Sequence, residues 1–85
     1  MATEAFDKAV VRSKELTTKP SNEDLLLLYS LFKQATSGNV SGERPAGFDF
    51  KGAAKFDAWT KIEGTSAEDA MNQYIALVNK LHQNQ

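Results

Sequence analysis

Apolar residues along the chain fall into four runs of helical period, separated by stretches rich in proline, glycine, serine and threonine. No run alternates with period two, and no Asn-Gly pair marks a hairpin. The pattern predicts an all-α protein of four helices around one core. In the first helix, from about Glu4 to Leu16, Phe6, Ala9, Val10 and Ser13 share a face and Thr3 is placed to cap the N-terminus. Thr17 to Pro20 stops it. The second helix opens on Ser21 as cap with Glu23 and Asp24 in its first turn, and runs to about Ser37, where Gly38 and Asn39 offer a stop. A long connection, NVSGERPAGFDF, follows over residues 39–50, and its two phenylalanines are expected to pack down on the core. The third helix spans about Lys51 to Glu63 and ends at Gly64, with Phe56, Trp59 and Ile62 on one side. The fourth starts after Ser66 as cap and carries the broadest apolar face, from Ala70 and Met71 through Tyr74 and Val78 to Leu81.

Several polar residues sit where a purely structural helix would not place them. On a wheel of the second helix, Leu25, Leu28, Leu31, Phe32 and Ala35 form the apolar face. Tyr29 lies at its edge, with Lys33 and Leu26 together further round. Lys51 and Lys55 are i, i+4 neighbours that flank Ile62 and approach Trp59, and an anion near them would relieve their repulsion. Lys14 flanks the Phe6/Val10 face, and the Tyr74 hydroxyl falls within an apolar stripe, where it needs a partner. Each feature also has a plainer account. Edge lysines lay their stems over a core, aromatic rings fill it, and an exposed leucine is common. Together the lysines and tyrosines suit phosphate groups and a flat ring, and Leu26 suits a hydrocarbon chain. The ligand so described is amphipathic.

Composition narrows the remaining classes. With 85 residues the chain is expected to form one domain, 1–85, too small for both a deep active site and a large core. It has no cysteine, so disulfides and thiolate metal sites are excluded. Ten basic and eleven acidic side chains nearly cancel, which argues against a nucleic-acid partner. The start, MATEAFDKAV, does not read as a secretory signal, and no apolar run approaches the ~20 residues needed to span a bilayer. A cytoplasmic protein with no stable membrane insertion is the expectation. Neither a histidine constellation nor a glycine-rich phosphate loop supports an enzyme. His82 stands near a C-terminus expected to fray, and no role follows from it. From another class, a helical protein-interaction module remains as the competing function, its apolar edge receiving a partner helix.

Ordered blocks along nearly the whole chain carry a further likeness: FDKA (6–9), TKPSNED (18–24), LYSLFKQAT (28–36), ERP (43–45), DFKGAAKFDAW (49–59) and GTSAEDAMNQYI (64–75). In these the chain resembles the acyl-CoA-binding protein family. The resemblance implies an up-down-down-up four-helix bundle with a long connection between helices two and three. It implies non-catalytic binding of medium- to long-chain acyl-CoA and a role as intracellular carrier and pool former. Neither cofactor nor metal is implied. A monomer that serves acyl-CoA-using enzymes is implied. Carried over position by position, the family's 3′-phosphate contacts fall on Tyr29, Lys33 and Lys55, with Lys14 and Lys51 also in the CoA site. Ala9 falls near the adenine, Tyr74 is the helix-four tyrosine, and Leu25, Leu26 and Ala54 lie near the acyl chain. Phe32 stands where the family commonly has tyrosine, and Phe56 where it commonly has tryptophan. The first exchange keeps a ring in the site and drops a hydroxyl. The end, KLHQNQ, lacks the lysine-rich, tyrosine-containing tail of many members.

Overall fold

A computed structural model describes residues 3–84. These form four helices: α1 (Thr3–Ser13), α2 (Asn22–Ser37), α3 (Phe50–Lys61) and α4 (Ala67–Gln83). Among the described residues there is no strand. Helix α2 lies at the centre and packs on both α3 and α4, whereas α1 packs on α4. The backbones of α1 and α2 stay apart, which opens a gap between them.

Local chemistry sets the boundaries. The Ser21 and Ser66 hydroxyls accept from the backbone N–H of Asp24 and Asp69, as their spacing predicted. Helix α3 begins one residue earlier than expected, because Asp49 caps it by accepting from the N–H of Gly52. A Cβ at position 52 would crowd that carboxylate, which would have to shift to make room. Helix α3 stops at Lys61, two residues short of Glu63, where Ile62 and Glu63 turn back onto Trp59 and Thr60 in shorter i, i−3 bonds. Helix α1 ends at Ser13 rather than Leu16. The Ser13 hydroxyl bonds the Val10 carbonyl at 2.6 Å, and Lys14 and Glu15 fold back by i, i−3 bonds. Thr3 is the first residue of α1 rather than its cap, and its side chain lies outside the described residues.

The core joins Phe6 and Ala9 of α1, Leu28, Leu31 and Ala35 of α2, and Ala70, Tyr74 and Val78 of α4. Full burial of a side chain such as Leu31 or Val78 contributes about 1.5–3 kcal/mol. The Phe6 ring lies between two others, edge-on to Tyr74 at 5.2 Å and stacked with Phe32 at 6.0 Å. Helix α3 is tied in through a buried polar node centred on Gln34. Its Nε2 donates to Asn39 Oδ1 at 2.8 Å and to the Thr65 carbonyl at 2.7 Å, while its Oε1 accepts from Trp59 Nε1 at 3.1 Å. Trp59 Nε1 also reaches the Gly38 carbonyl at 2.9 Å. Asn39 Oδ1 accepts in addition from the N–H of Gly64. Among the described residues no buried side-chain polar atom lacks a partner.

The expected burial of the connection's phenylalanines is overturned. Phe48 is 93% and Phe50 74% exposed. The connection is anchored by charge instead. Arg44 grips Asp57 of α3 through two parallel bonds of 2.9 and 3.0 Å, which leaves both rings outside. His82 is also better placed than expected. Helix α4 persists to Gln83, and the half-buried imidazole lies 2.8 Å from the Arg12 carbonyl, closing the end of α1. Beside it Arg12 donates to Asn79 Oδ1 at 2.6 Å.

Gln34→Ala removes three hydrogen bonds and buried volume at one point. It is expected to cost about 3 kcal/mol, read as a lower urea midpoint. The Arg44 guanidinium, foremost by hydrogen bonding, holds the Asp57 carboxyl below its ordinary value of 3.8; burial opposes the shift, and the charges of Arg44 and Lys61 add to it. A depressed folded-state pKa contributes stability above the ordinary carboxylate range, and that stability disappears as pH falls through the depressed value. Asp57→Asn is therefore expected to be less stable than the parent at neutral pH. Acid titration of thermal stability should show the gap closing below about pH 4.

Candidate functional site

Two clefts flank the exposed side of α2. The first, about 330 Å³, fills the gap between α1 and α2. Val10 and Ser13 of α1, Lys14 and Pro20 of the following turn, Tyr74 of α4, and Leu25, Leu28, Tyr29 and Phe32 of α2 line it. The second, about 540 Å³, lies between α2 and the start of α3. Its lining is Lys19, Asn22, Leu25, Leu26, Tyr29, Phe50, Lys51, Ala54 and Lys55. Leu25 and Tyr29 border both, so the two clefts meet across one turn of α2.

The lysines are held over rings. Lys55 Nζ lies 5.3 Å from the centre of the Tyr29 ring, and Lys33 Nζ lies 5.2 Å from that of Trp59. Such contacts are worth about 0.5–1 kcal/mol at exposed sites, enough to bias the ammonium groups without locking them. The wheel reading paired Trp59 with Lys51 and Lys55, whereas the fold gives it Lys33 and carries Lys55 to Tyr29. Three lysines and no carboxylate line the second cleft, so its field is locally positive on a chain of net charge −1. The Tyr74 hydroxyl, on a side chain 4% exposed, has the partner it needed: it donates to Ser13 Oγ at 3.1 Å.

Of the residues singled out from sequence, Lys14, Phe32 and Tyr74 line the first cleft, and Leu26, Lys51, Ala54 and Lys55 the second. Leu25 and Tyr29 line both. Two stand apart. Ala9 is 2% exposed within the core, and Lys33 lines neither cleft. Leu25 and Phe32 belong to the rim rather than the core, and Lys14 lies in the turn just beyond α1. Sequence reasoning missed Lys19, Pro20 and Asn22, because Pro20 read only as a helix stop. It missed Phe50 as a wall, because the ring was assigned to the core. Ser13 carried a signal, since it is a hydroxyl in an otherwise apolar stripe.

Among the described residues no group of three His, Asp or Glu side chains could hold a metal. An apolar trough with ammonium groups and hydroxyls at its borders is built to hold an amphipathic anion. That class, a small helical ligand-binding protein, is as far as the geometry goes alone. The Acyl CoA binding protein family model matches residues 3–78. The acyl-CoA-binding protein of Brassica napus is 50% identical over 92% of this chain and 85% of its own length. Acyl-CoA-binding domain-containing protein 6 of Arabidopsis thaliana has the same identity and the same coverage. The crystal structure of Oryza sativa acyl-CoA-binding protein 2 superimposes with a TM-score of 0.93 at 44% identity, covering 99% of this chain and 93% of that one. The chain belongs to the acyl-CoA-binding protein family.

Tyr74→Phe deletes one hydrogen bond and leaves Ser13 satisfied by Val10. The expected cost is about 1 kcal/mol of folding stability, measured by urea denaturation.

Proposed function

We propose that this protein binds medium- to long-chain fatty acyl-CoA thioesters one to one, without chemistry on them, and serves as their carrier and pool former. The observation that carries the reading is the meeting of the two clefts at Leu25 and Tyr29. The trough they make has aliphatic walls at Leu26 and Ala54 and cations at Lys14, Lys19, Lys51 and Lys55. The acyl chain takes the aliphatic side. The phosphates take the ammonium groups, with the Tyr29 hydroxyl between them. Lys33, one helical turn from Tyr29, joins the phosphate set by leaving the Trp59 ring. Ala9, the family position near the adenine, is buried in the core and lines neither cleft, so any part it plays is indirect.

Shelter of about ten methylenes at ~0.8 kcal/mol each supplies roughly 8 kcal/mol before ordering costs. Partly exposed phosphate contacts add a few kcal/mol together. The head group thus selects CoA, and the chain supplies much of the affinity. The whole of residues 1–85 acts as one domain in this reading. The protein works as a cytoplasmic monomer with no cofactor, and acyl-CoA-using enzymes receive its cargo. The absence of any helix long and apolar enough to cross a membrane, among the described residues, is compatible with this.

Calorimetric titration of delipidated protein with palmitoyl-CoA below its micelle concentration is the test, with CoA and palmitate as controls. Tight one-to-one binding of the thioester, with weak binding of both controls, is expected. Palmitate binding as tightly as palmitoyl-CoA would refute the head-group selection. No heat with any of the three would turn the trough into a groove for a partner helix. Lys55→Ala is expected to weaken octanoyl-, dodecanoyl- and palmitoyl-CoA alike, by about tenfold. A loss confined to one chain length would place Lys55 at the acyl end.

A further inference from the structure

Resting on that reading, we infer that Ser13 sets the hydrogen-bond polarity of the Tyr74 corner of the first cleft, and so selects a ligand ring that presents an amino group to that corner. The inference follows from counting protons. A seryl hydroxyl has one to give, and a carbonyl oxygen has none. Ser13 Oγ lies 2.6 Å from the Val10 carbonyl, which can only accept. The N–H of Lys14, which would serve that carbonyl in a continued helix, goes to Val11 instead. The serine proton is therefore committed to Val10.

The next link follows by necessity. Tyr74 Oη and Ser13 Oγ are 3.1 Å apart, so the tyrosine must supply the proton between them. Tyr74 is left with lone pairs and nothing to donate. Both residues line the first cleft, so the pair faces a ligand as acceptors alone. Phe32, whose ring is 37% exposed on the same cleft, adds an aromatic wall with no hydroxyl to compete. Phe32 and Tyr29 suit a flat ring, and the Tyr74–Ser13 pair suits an N–H on its edge. In an acyl-CoA that ring is the aminopurine. A 6-oxo purine seated the same way would point a carbonyl oxygen at those lone pairs, where adenine points an N–H. Sites built this way reject the mismatched group more strongly than apolar pockets reject a change in size.

The test compares palmitoyl-CoA with its 6-oxo counterpart, in which hypoxanthine replaces adenine, on the full chain. The parent protein is expected to bind the amino form about tenfold more tightly. Ser13→Ala releases the Tyr74 proton, so the tyrosine can donate. The preference is then expected to fall below about threefold, chiefly through tighter binding of the 6-oxo form. Ser13→Thr keeps the hydroxyl and the preference. A structural role for Ser13 alone would shift both affinities together and leave their ratio unchanged, and that result overturns the inference. Equal binding of the two forms by the parent overturns it as well. Failure of palmitoyl-CoA itself to bind would instead bring down the reading on which the inference rests.

Discussion

Everything about the second cleft depends on one buried amide. Gln34 lies in the middle of the molecule, where an unpaired amide would cost several kcal/mol. Its donors and acceptor are matched by Asn39, Thr65 and Trp59, which come from three different parts of the chain. Those partners can meet the amide only if α3 crosses α2 at one place and the segment after α2 turns sharply through Gly38. Apolar packing alone would allow α3 to slide along α2, since leucine and alanine contacts are nearly interchangeable in register. A satisfied polar node removes that freedom. The register it enforces brings Lys51 and Lys55 of α3 opposite Leu26 and Tyr29 of α2.

The cationic groups are poised by weaker forces. Lys33 and Lys55 rest on aromatic faces, which hold an ammonium without desolvating it. A strong salt bridge would occupy them and have to be broken for any anion to enter. The one bidentate pair among the described ion pairs, Arg44 with Asp57, sits away from the trough lining and fastens the long connection. The molecule thus spends its firm electrostatic contact on the scaffold and leaves its loose cations beside the trough.

Much of this was legible beforehand. Four helices follow from apolar period, and the Ser21 and Ser66 caps from their place before acidic first turns. The oddly placed Leu26, Tyr29, Lys51 and Lys55 stood out because a helix wheel has no structural use for them there, and all four line one cleft. Other elements were misread for physical reasons. Phe48 and Phe50 looked like core because aromatic rings usually are, but Phe48 lies exposed in the loop that Arg44 pins, and Phe50 opens α3 at the wall of the second cleft. The end of α1 was set too late because the Ser13 hydroxyl bonds the Val10 carbonyl where the helix would otherwise go on. His82 looked idle because its partner, the Arg12 carbonyl, lies 70 residues away along the chain.

By itself, then, the sequence determined the fold class, the starts of α2 and α4 and the family, because these depend on local period, capping and ordered blocks of residues. Which side chains share a surface was decided by tertiary structure. Lys55 met Tyr29 rather than Trp59, Lys33 took the Trp59 ring, Ala9 sank into the core, and Ser13 met Tyr74. Such pairings join residues far apart in the chain, and no local rule of spacing can fix the angle at which two helices cross.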